Sequence, residues 1–328
     1  MPLARQLRIV DTDEEGIDQA FRSDVLAGLA QSPKAIPARW FYDLRGSELF
    51  EEITRLPEYY LTRVETGLLR RHCPDILRGT GSGRAVVEFG SGSSAKTRLL
   101  LNAIAPAAYV PIDISGEFLG QSCAELASAL PTLPIIPVEA DFMRPLPLPA
   151  ALDGLPRLGF FPGSTIGNMV PATGVDLLRS MRATLGEGAQ LLIGFDRVKD
   201  VARLLRAYDD AAGITALFNL NLLERINREL DADIPIAAFR HLIRWNEAWR
   251  RIEMHLKATR PVQFTISGQP FRFASGESIH TENSHKYSPS QASLLLQAGG
   301  WTPLEFWSDP EQDFMIMLAE ASAHRSAP

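Results

Sequence analysis

Three carboxylates and a run of glycines are spaced along this chain as a nucleoside site would need them. Val86-Val87-Glu88-Phe89-Gly90-Ser91-Gly92-Ser93-Ser94-Ala95 reads as a buried strand, a glycine turn and the start of a helix carrying Lys96. Glycine at such a turn lets backbone approach a ligand closely. Asp113 closes the next apolar run, where a carboxylate accepts hydrogen bonds from both hydroxyls of a ribose. Asp141 repeats the arrangement one strand later, offering an acceptor to an exocyclic adenine amine, and Phe142 beside it offers a ring to pack on the base. A single Asp at a strand end is usually a helix cap. Three ligand-type residues at three successive strand ends point instead to an adenosine-containing ligand.

Two bland or rival readings share part of this pattern. Gly90, Gly92 and Ala95 also satisfy the G-x-G-x-x-G/A spacing of dinucleotide-binding sheets, and a plain tight turn has the same composition. What favours a sulfonium cofactor, S-adenosyl-L-methionine, over a nicotinamide is the whole set. Glu88 stands in the glycine-rich strand end, a carboxylate follows each of the next two strands, and the polar run Gly163-Ser164-Thr165-Ile166-Gly167-Asn168 follows the fourth. A sulfonium needs no hydride path, and no Tyr-x-x-x-Lys pair of the reductase kind is present.

The elements that must position these residues are legible in the apolar pattern. Strand-like runs at Ala85 to Phe89, Tyr109 to Ile112, Ile135 to Val138, Leu158 to Phe161 and Gln190 to Phe195 alternate with helical segments such as Leu99 to Ile104 and Val175 to Leu185. That alternation predicts an α/β fold, a mostly parallel sheet with helices on both faces. After Asp196 the rhythm changes. Helical stretches at Val201 to Tyr208 and Phe218 to Leu230 lead into β-like Ile252 to Ala258, Val262 to Ile266 and Phe271 to Phe273, which read as an antiparallel meander. A helix at Ser288 to Gln297 and strands at Pro303 to Trp307 and Phe314 to Leu318 then close the sheet in antiparallel fashion. The expected organisation is a cofactor-binding core of residues 64–198 and 288–328, with a smaller α+β substrate-binding domain of residues 1–63 and 199–287.

Bulk properties narrow the partners. Of 328 residues, 45% are hydrophobic and 22% charged, enough to bury a core, and the formal net charge of −6 gives no basis for expecting a nucleic acid partner. The two cysteines, Cys73 and Cys123, are too few for a disulfide framework and read as packing residues in a reducing compartment. Met1 to Val10 lacks the basic, apolar and cleavage segments of a leader, and no apolar run reaches the roughly 18 residues a membrane helix needs. A cytoplasmic protein without a membrane partner is expected. Metal spacings H-E-x-x-H and C-x-x-C are absent, although His280, Glu282 and His285 offer three ligands within six residues. The G-x-S-x-G hydrolase elbow is absent too.

Longer words carry a family resemblance. Trp40-Phe41-Tyr42-Asp43, Ile53-Thr54-Arg55-Leu56-Pro57-Glu58-Tyr59-Tyr60, Glu88-Phe89-Gly90-Ser91-Gly92, Gly163 to Asn168 and Arg206-Ala207-Tyr208-Asp209-Asp210-Ala211-Ala212-Gly213 occur in order. Arg251-Ile252-Glu253-Met254 and Thr281 to Tyr287 continue the series. Together they resemble the L-histidine N-α-methyltransferases of ergothioneine biosynthesis, over nearly the whole chain after about residue 20. The chain departs from the family pattern at Leu61, where proline is common, and at His255, where an aromatic is usual.

The resemblance implies a Rossmann-like class I methyltransferase core, a family-specific substrate domain and a monomer acting on free L-histidine. It implies three successive transfers to the α-amino group, giving hercynine. To S-adenosyl-L-methionine it assigns Tyr42, Gly90, Gly92, Lys96, Asp113, Asp141 and Phe142. Asn168 and Tyr208 become the candidate catalytic residues at the amino-acid end of the substrate, with Gly163 and Thr165 beside them. Tyr59, Phe218, Met254, Glu282 and Ser284 become the imidazole pocket. A neutral imidazole has one donor and one acceptor nitrogen, so a carboxylate and a hydroxyl suit it, and Glu282 and Ser284, two apart in an extended segment, project to one face. A solvated strand face would have the same two residues. The fungal branch that methylates tryptophan derivatives is not expected to keep them. A methyltransferase for another aromatic amine and a non-catalytic dinucleotide-binding protein are the competing readings.

Overall fold

The computed structural model describes residues 7–9, 18–92 and 94–322. The reading of Met1 to Val10 as lacking a leader falls mostly on residues 1–6 and 10, which lie outside the described residues. So do Ser93 of the glycine turn and the chain end 323–328. The chain divides into two compact units, one of Met1–Ile9, Leu61–Val198 and His285–Pro328, the other of Val10–Tyr60 and Lys199–Ser284.

The first unit begins with strands β1 (Leu7–Ile9), β2 (Ala85–Phe89), β3 (Ala108–Asp113), β4 (Val138–Ala140), β5 (Arg157–Phe161) and β6 (Gln190–Asp196). All are parallel where they pair. The run Gln190–Asp196 is buried at every position, as a strand covered on both faces must be. Successive β2 side chains enter different cores: Ala85, Val87 and Phe89 join one apolar cluster and Val86 the other. Leu7–Ile9 was assigned from sequence to the substrate domain; it instead adds to the edge of this sheet beside β4.

The second unit holds β7 (Phe239–Asn246), β8 (Arg251–Ala258), β9 (Val262–Ile266), β10 (Gln269–Phe273) and β11 (Ser278–His285). They do not form the single meander expected. β9 and β10 make a separate hairpin, while β11, β8 and β7 make a three-stranded sheet. β7 escapes a sequence reading because it lies half exposed and carries Arg240 and Arg244 among its apolar residues. β11, Ser-Ile-His-Thr-Glu-Asn-Ser-His, carries little apolar signal, and only the extended segment expected around Glu282 and Ser284 anticipates it.

The chain then returns to the first unit through a helix, Pro289–Ala298, and strands β12 (Trp301–Ser308) and β13 (Phe314–Ala321). β13 runs antiparallel to both β6 and β12, completing the order β1-β4-β3-β2-β5-β6-β13-β12. The parallel sheet closed by an antiparallel pair is thus as expected. Strand order reverses at β2 and β5, and crevices at such switch points, outside the carboxyl ends of the strands, are where open parallel sheets bind ligands.

Candidate active site

In the first unit, β2 ends at Phe89 and the chain turns through Gly90 at φ 73° and Gly92 at φ 39°, conformations that side chains rarely adopt. The Gly90 and Ser91 N–H groups both donate to the Ile112 carbonyl, at 2.8 and 3.2 Å, folding the turn onto the end of β3. There the Asp113 carboxylate accepts from the Gly92 N–H at 3.4 Å and the Ser115 N–H at 3.0 Å. Burial pushes this carboxyl above the usual carboxylate range, against the pull of those backbone donors. Asp141 accepts from the Met143 N–H at 2.9 Å. Phe142 stands edge-on to Phe89 and Phe161, at 6.1 and 5.9 Å between centroids.

A Cβ on Gly90 would meet the Phe142 ring at 3.6 Å, and one on Gly92 would meet no atom within 4 Å. The turn, Asp113 and Phe142 therefore converge where β2, β3 and β4 end. They fit an adenosyl group: a carboxylate for the ribose, an aromatic edge for the base, and backbone bare of side chains between them.

Two neighbours of this turn have roles the sequence did not disclose. Glu88 is no ligand. Its two oxygens accept from the Thr97 hydroxyl at 2.9 and 2.8 Å and one also from the Tyr109 hydroxyl at 2.6 Å, inside the core. Burial raises its pKa to about 8, opposed by those hydroxyls. Lys96, expected at the cofactor, forms an ion pair with Glu65 at 2.7 Å. Glu65 is 1% exposed and also accepts the Gly163 N–H through both oxygens, at 3.0 and 2.9 Å. It thus ties the helix Ser94–Ile104 to the loop after β5. Nothing in Arg-Val-Glu-Thr-Gly marks it, because its partner Gly163 lies 98 residues away.

That loop carries Gly163, Thr165 and Asn168. The Thr165 hydroxyl donates to the Pro162 carbonyl at 2.9 Å, and the Ser164 hydroxyl accepts from the Asp196 N–H at 2.8 Å. Asn168 ends the short 3-10 turn Thr165–Asn168 and is half-buried. The His285 Nδ1 donates to the Gly167 carbonyl at 2.9 Å, which gives this histidine an anchoring role rather than a place in the trio with His280 and Glu282. Lys286 and Asp196, both fully buried, pair at 2.7 Å.

The second unit gathers the other candidates into an aromatic cluster. Phe218 lies 4.6 Å from Phe41 and 5.7 Å from Tyr42, while Phe50 stands 5.7 Å from Tyr42, 6.0 Å from Phe218 and 6.2 Å from Tyr59. Tyr59 in turn meets Tyr208 at 6.2 Å. The Tyr208 hydroxyl is hydrogen-bonded to the Ser284 hydroxyl at 2.6 Å. Sequence reasoning brought in every member but Phe41 and Phe50; the amphipathic period of Leu44–Thr54 makes Phe50 read as plain core. Tyr42, unlike the other cofactor candidates, belongs to this unit.

Local chemistry explains the two motifs that deliver these rings. Asp43 caps the helix Leu44–Thr54 by accepting the Gly46 N–H at 2.7 Å. It also takes Asn221 at 2.8 Å and Arg228 at 2.5 Å, locking the Trp40 to Asp43 segment to the helix Ile214–Glu229. Asp210 caps that same helix by accepting the Ile214 and Thr215 N–H groups at 2.9 and 2.8 Å. The Tyr208 carbonyl just before it accepts from His241 at 2.9 Å. Met254 is buried on β8, its carbonyl accepting the Thr281 hydroxyl at 3.1 Å, and Glu282 is half-buried on β11. Neither cysteine is poised as a nucleophile, since burial raises both thiols, Cys123 to about 12.

Comparison with known proteins adds the following. The profile of a family described as "Histidine-specific methyltransferase, SAM-dependent" matches residues 21–321. The chain is 42% identical over 311 residues to the "Histidine N-alpha-methyltransferase" of Mycolicibacterium smegmatis, covering 92% of this chain and 95% of that protein. It is 41% identical over 307 residues to the protein of the same name from Mycobacterium tuberculosis, covering 92% and 94%. Against "Ergothioneine biosynthesis protein 1" of Neurospora crassa identity is 29% over 298 residues, 88% of this chain but 33% of the relative.

Proposed function

The chain belongs to the histidine-specific, S-adenosylmethionine-dependent methyltransferases, and from that premise we propose that it methylates the α-amino nitrogen of L-histidine. Three successive transfers would give hercynine, the first step of ergothioneine biosynthesis. The observation that carries the reading is the family match over residues 21–321.

S-adenosylmethionine supplies a methyl group on a sulfonium, open to in-line displacement. The protein's task is then positioning, because such a displacement needs the attacking lone pair at about 3–3.5 Å from the carbon. Asp113 accepts the ribose hydroxyls, Asp141 the adenine amine, and Phe142 packs on the base, with Gly90 and Gly92 leaving room for the donor. Glu65, ion-paired with Lys96, holds the Gly163 loop that carries Thr165 and Asn168, and Lys96 is a further contact for the donor. Asn168 and Tyr208 orient the amino-acid end of histidine. Tyr59, Phe218 and Met254 supply the walls of the imidazole pocket, and Glu282 and Ser284 its hydrogen bonds. The family resemblance assigns Tyr42 to the donor as well.

Among the described residues no helix is long and apolar enough to cross a membrane. A cytoplasmic monomer acting on a free amino acid, without nucleic acid or membrane partners, accords with the net charge of −6 and two unpaired thiols.

The test is mass spectrometry of an amino-acid panel incubated with S-adenosylmethionine and the purified protein. Mono-, di- and trimethylated histidine are expected in sequence. Transfer to tryptophan but not histidine would support the competing aromatic-amine reading, and no transfer to any amino acid would overturn both.

A further inference from the structure

One cluster of histidine and glutamate side chains in the second unit lies outside the residues assigned to donor and substrate. His255 on β8 and His280 on β11 stack with their ring centroids 4.8 Å apart and 20° between planes. Glu253, two residues before His255, lies on the same face of β8, its Oε2 3.3 Å from the His255 Nε2. One ligand atom from each of Glu253, His255 and His280 falls within 4.8 Å of the others. We propose that Glu253, His255 and His280 form a binding site for a divalent transition-metal ion of the zinc type.

Stacking alone would be served by any aromatic at 255, so the case rests on the third group and on how the rings are held. The Glu253 Oε1 is occupied, accepting from Asn246 at 2.9 Å and twice from Arg251 at 2.8 and 2.6 Å, which leaves Oε2 as the oxygen turned to His255. A cation between that oxygen and Nε2 would take the place of the proton the two share. Each histidine also has an outer partner for its ring. The His255 Nδ1 meets the Ser278 hydroxyl at 3.4 Å, and the His280 Nε2 donates to the Glu282 carbonyl at 3.0 Å. Metal-bound histidines are typically oriented in this way, by a second hydrogen bond to a carbonyl or hydroxyl.

Protonation favours the same assignment. Burial, with the neighbouring His280, lowers His255 to about 4, and burial lowers His280, so both rings are neutral with lone pairs to give at pH 7. Glu253 is an anion there: burial raises its pKa, but Arg251 and Asn246 outweigh that and bring it to about 2. Two imidazoles and one carboxylate make the ligand set of a three-ligand zinc site, with a fourth position left to water. Because Arg251 shares the carboxylate's charge, the imidazoles dominate the site. It should therefore take Zn²⁺ or Co²⁺ and pass over Mg²⁺ and Ca²⁺, which want oxygen ligands.

The experiment is calorimetric titration of the tag-free full chain with Zn²⁺, and separately with Mg²⁺, alongside Co²⁺ absorption spectroscopy. One Zn²⁺ per chain is expected, no Mg²⁺ heat, and Co²⁺ bands of a low-coordinate nitrogen and oxygen site. His255→Phe, which keeps the stack, and His280→Ala should each weaken Zn²⁺ at least tenfold. Each variant's thermal midpoint without metal reports that it is folded. Zn²⁺ binding that is absent in the wild type, or unchanged in both folded variants, overturns the proposal. None of these readouts depends on methyl transfer, so they stand or fall apart from the proposed activity.

Discussion

The two units hold their candidate ligand groups by different physics. In the first, the polar groups near the glycine turn are pinned by charge, backbone donors or buried hydroxyls: Asp113 by Gly92 and Ser115, Lys96 by Glu65, Glu88 by Thr97 and Tyr109. In the second, a cluster of Tyr42, Phe50, Tyr59, Tyr208 and Phe218 is held by ring packing, with the Tyr208–Ser284 hydroxyl pair as its polar edge. The difference teaches where tolerance should lie. A site made of strand ends depends on a few hydrogen bonds to charge, each of about 1.5–3 kcal/mol. A ring cluster keeps its shape when a hydroxyl is lost and fails when a discriminating polar group is removed.

The sharpest way to break this comparison is at Glu282. A pocket built to bond a polar ring rejects analogues that leave its buried groups unpaired. Glu282→Ala should lower kcat/KM for histidine about a hundredfold, at the scale of one lost charge-assisted bond or more. Adding Met254→Val, which widens the pocket, should let tryptophan compete. Steady-state kinetics with both amino acids decide it: a histidine-to-tryptophan ratio that falls in neither variant removes Glu282 from the pocket.

A paired measurement sharpens it next. Asp113→Ala should weaken S-adenosylmethionine binding by about tenfold or more, since each lost bond to charge costs about 1.5–3 kcal/mol. Tyr208→Phe, which keeps the ring and drops one hydroxyl, should cost histidine turnover about two- to tenfold, the scale of a single neutral hydrogen bond, and leave the cofactor affinity unchanged. Calorimetry for the donor and initial rates for histidine would read both. Equal loss of cofactor binding in Tyr208→Phe would contradict the division.

The smallest expected effect concerns Glu88, whose buried carboxyl is raised to about 8 from an ordinary 4.5. A folded-state pKa above the unfolded one means the folded protein binds the extra proton between those values. The stability this contributes is full below about 4.5 and lost as pH rises through about 8. Thermal midpoints should therefore fall more steeply between about pH 4.5 and 8 in the wild type than in Glu88→Gln, with the two profiles running parallel above that window. Profiles parallel within the window as well would show that Glu88 titrates normally.

Much of the first unit could be read from sequence because its signals are local. A strand buried on both faces is apolar throughout, a glycine turn is visible as glycine, and a ligand carboxylate sits at the end of the run it follows. Asp113, Asp141 and Phe142 read as candidates in that way, and they stand where β3 and β4 end. The second unit was legible mainly through its family words. β7 and β11 lack apolar alternation, so the three-stranded sheet that carries Met254, Glu282 and Ser284 was taken for part of a different meander.

By itself, then, the sequence determined the α/β core, the glycine turn, the strand-end carboxylates and the family, because each is written in neighbouring residues or in ordered motifs. Only the tertiary structure decided that Glu65 clamps Lys96 to Gly163, that Thr97 and Tyr109 hold Glu88 inside the core, and that Phe50 centres the ring cluster. It alone set His255 against His280 and Glu253. Which polar side chains meet depends on strand register and on chain crossings between residues far apart in sequence, and periodicity, which records only which face of an element is buried, carries no information about either.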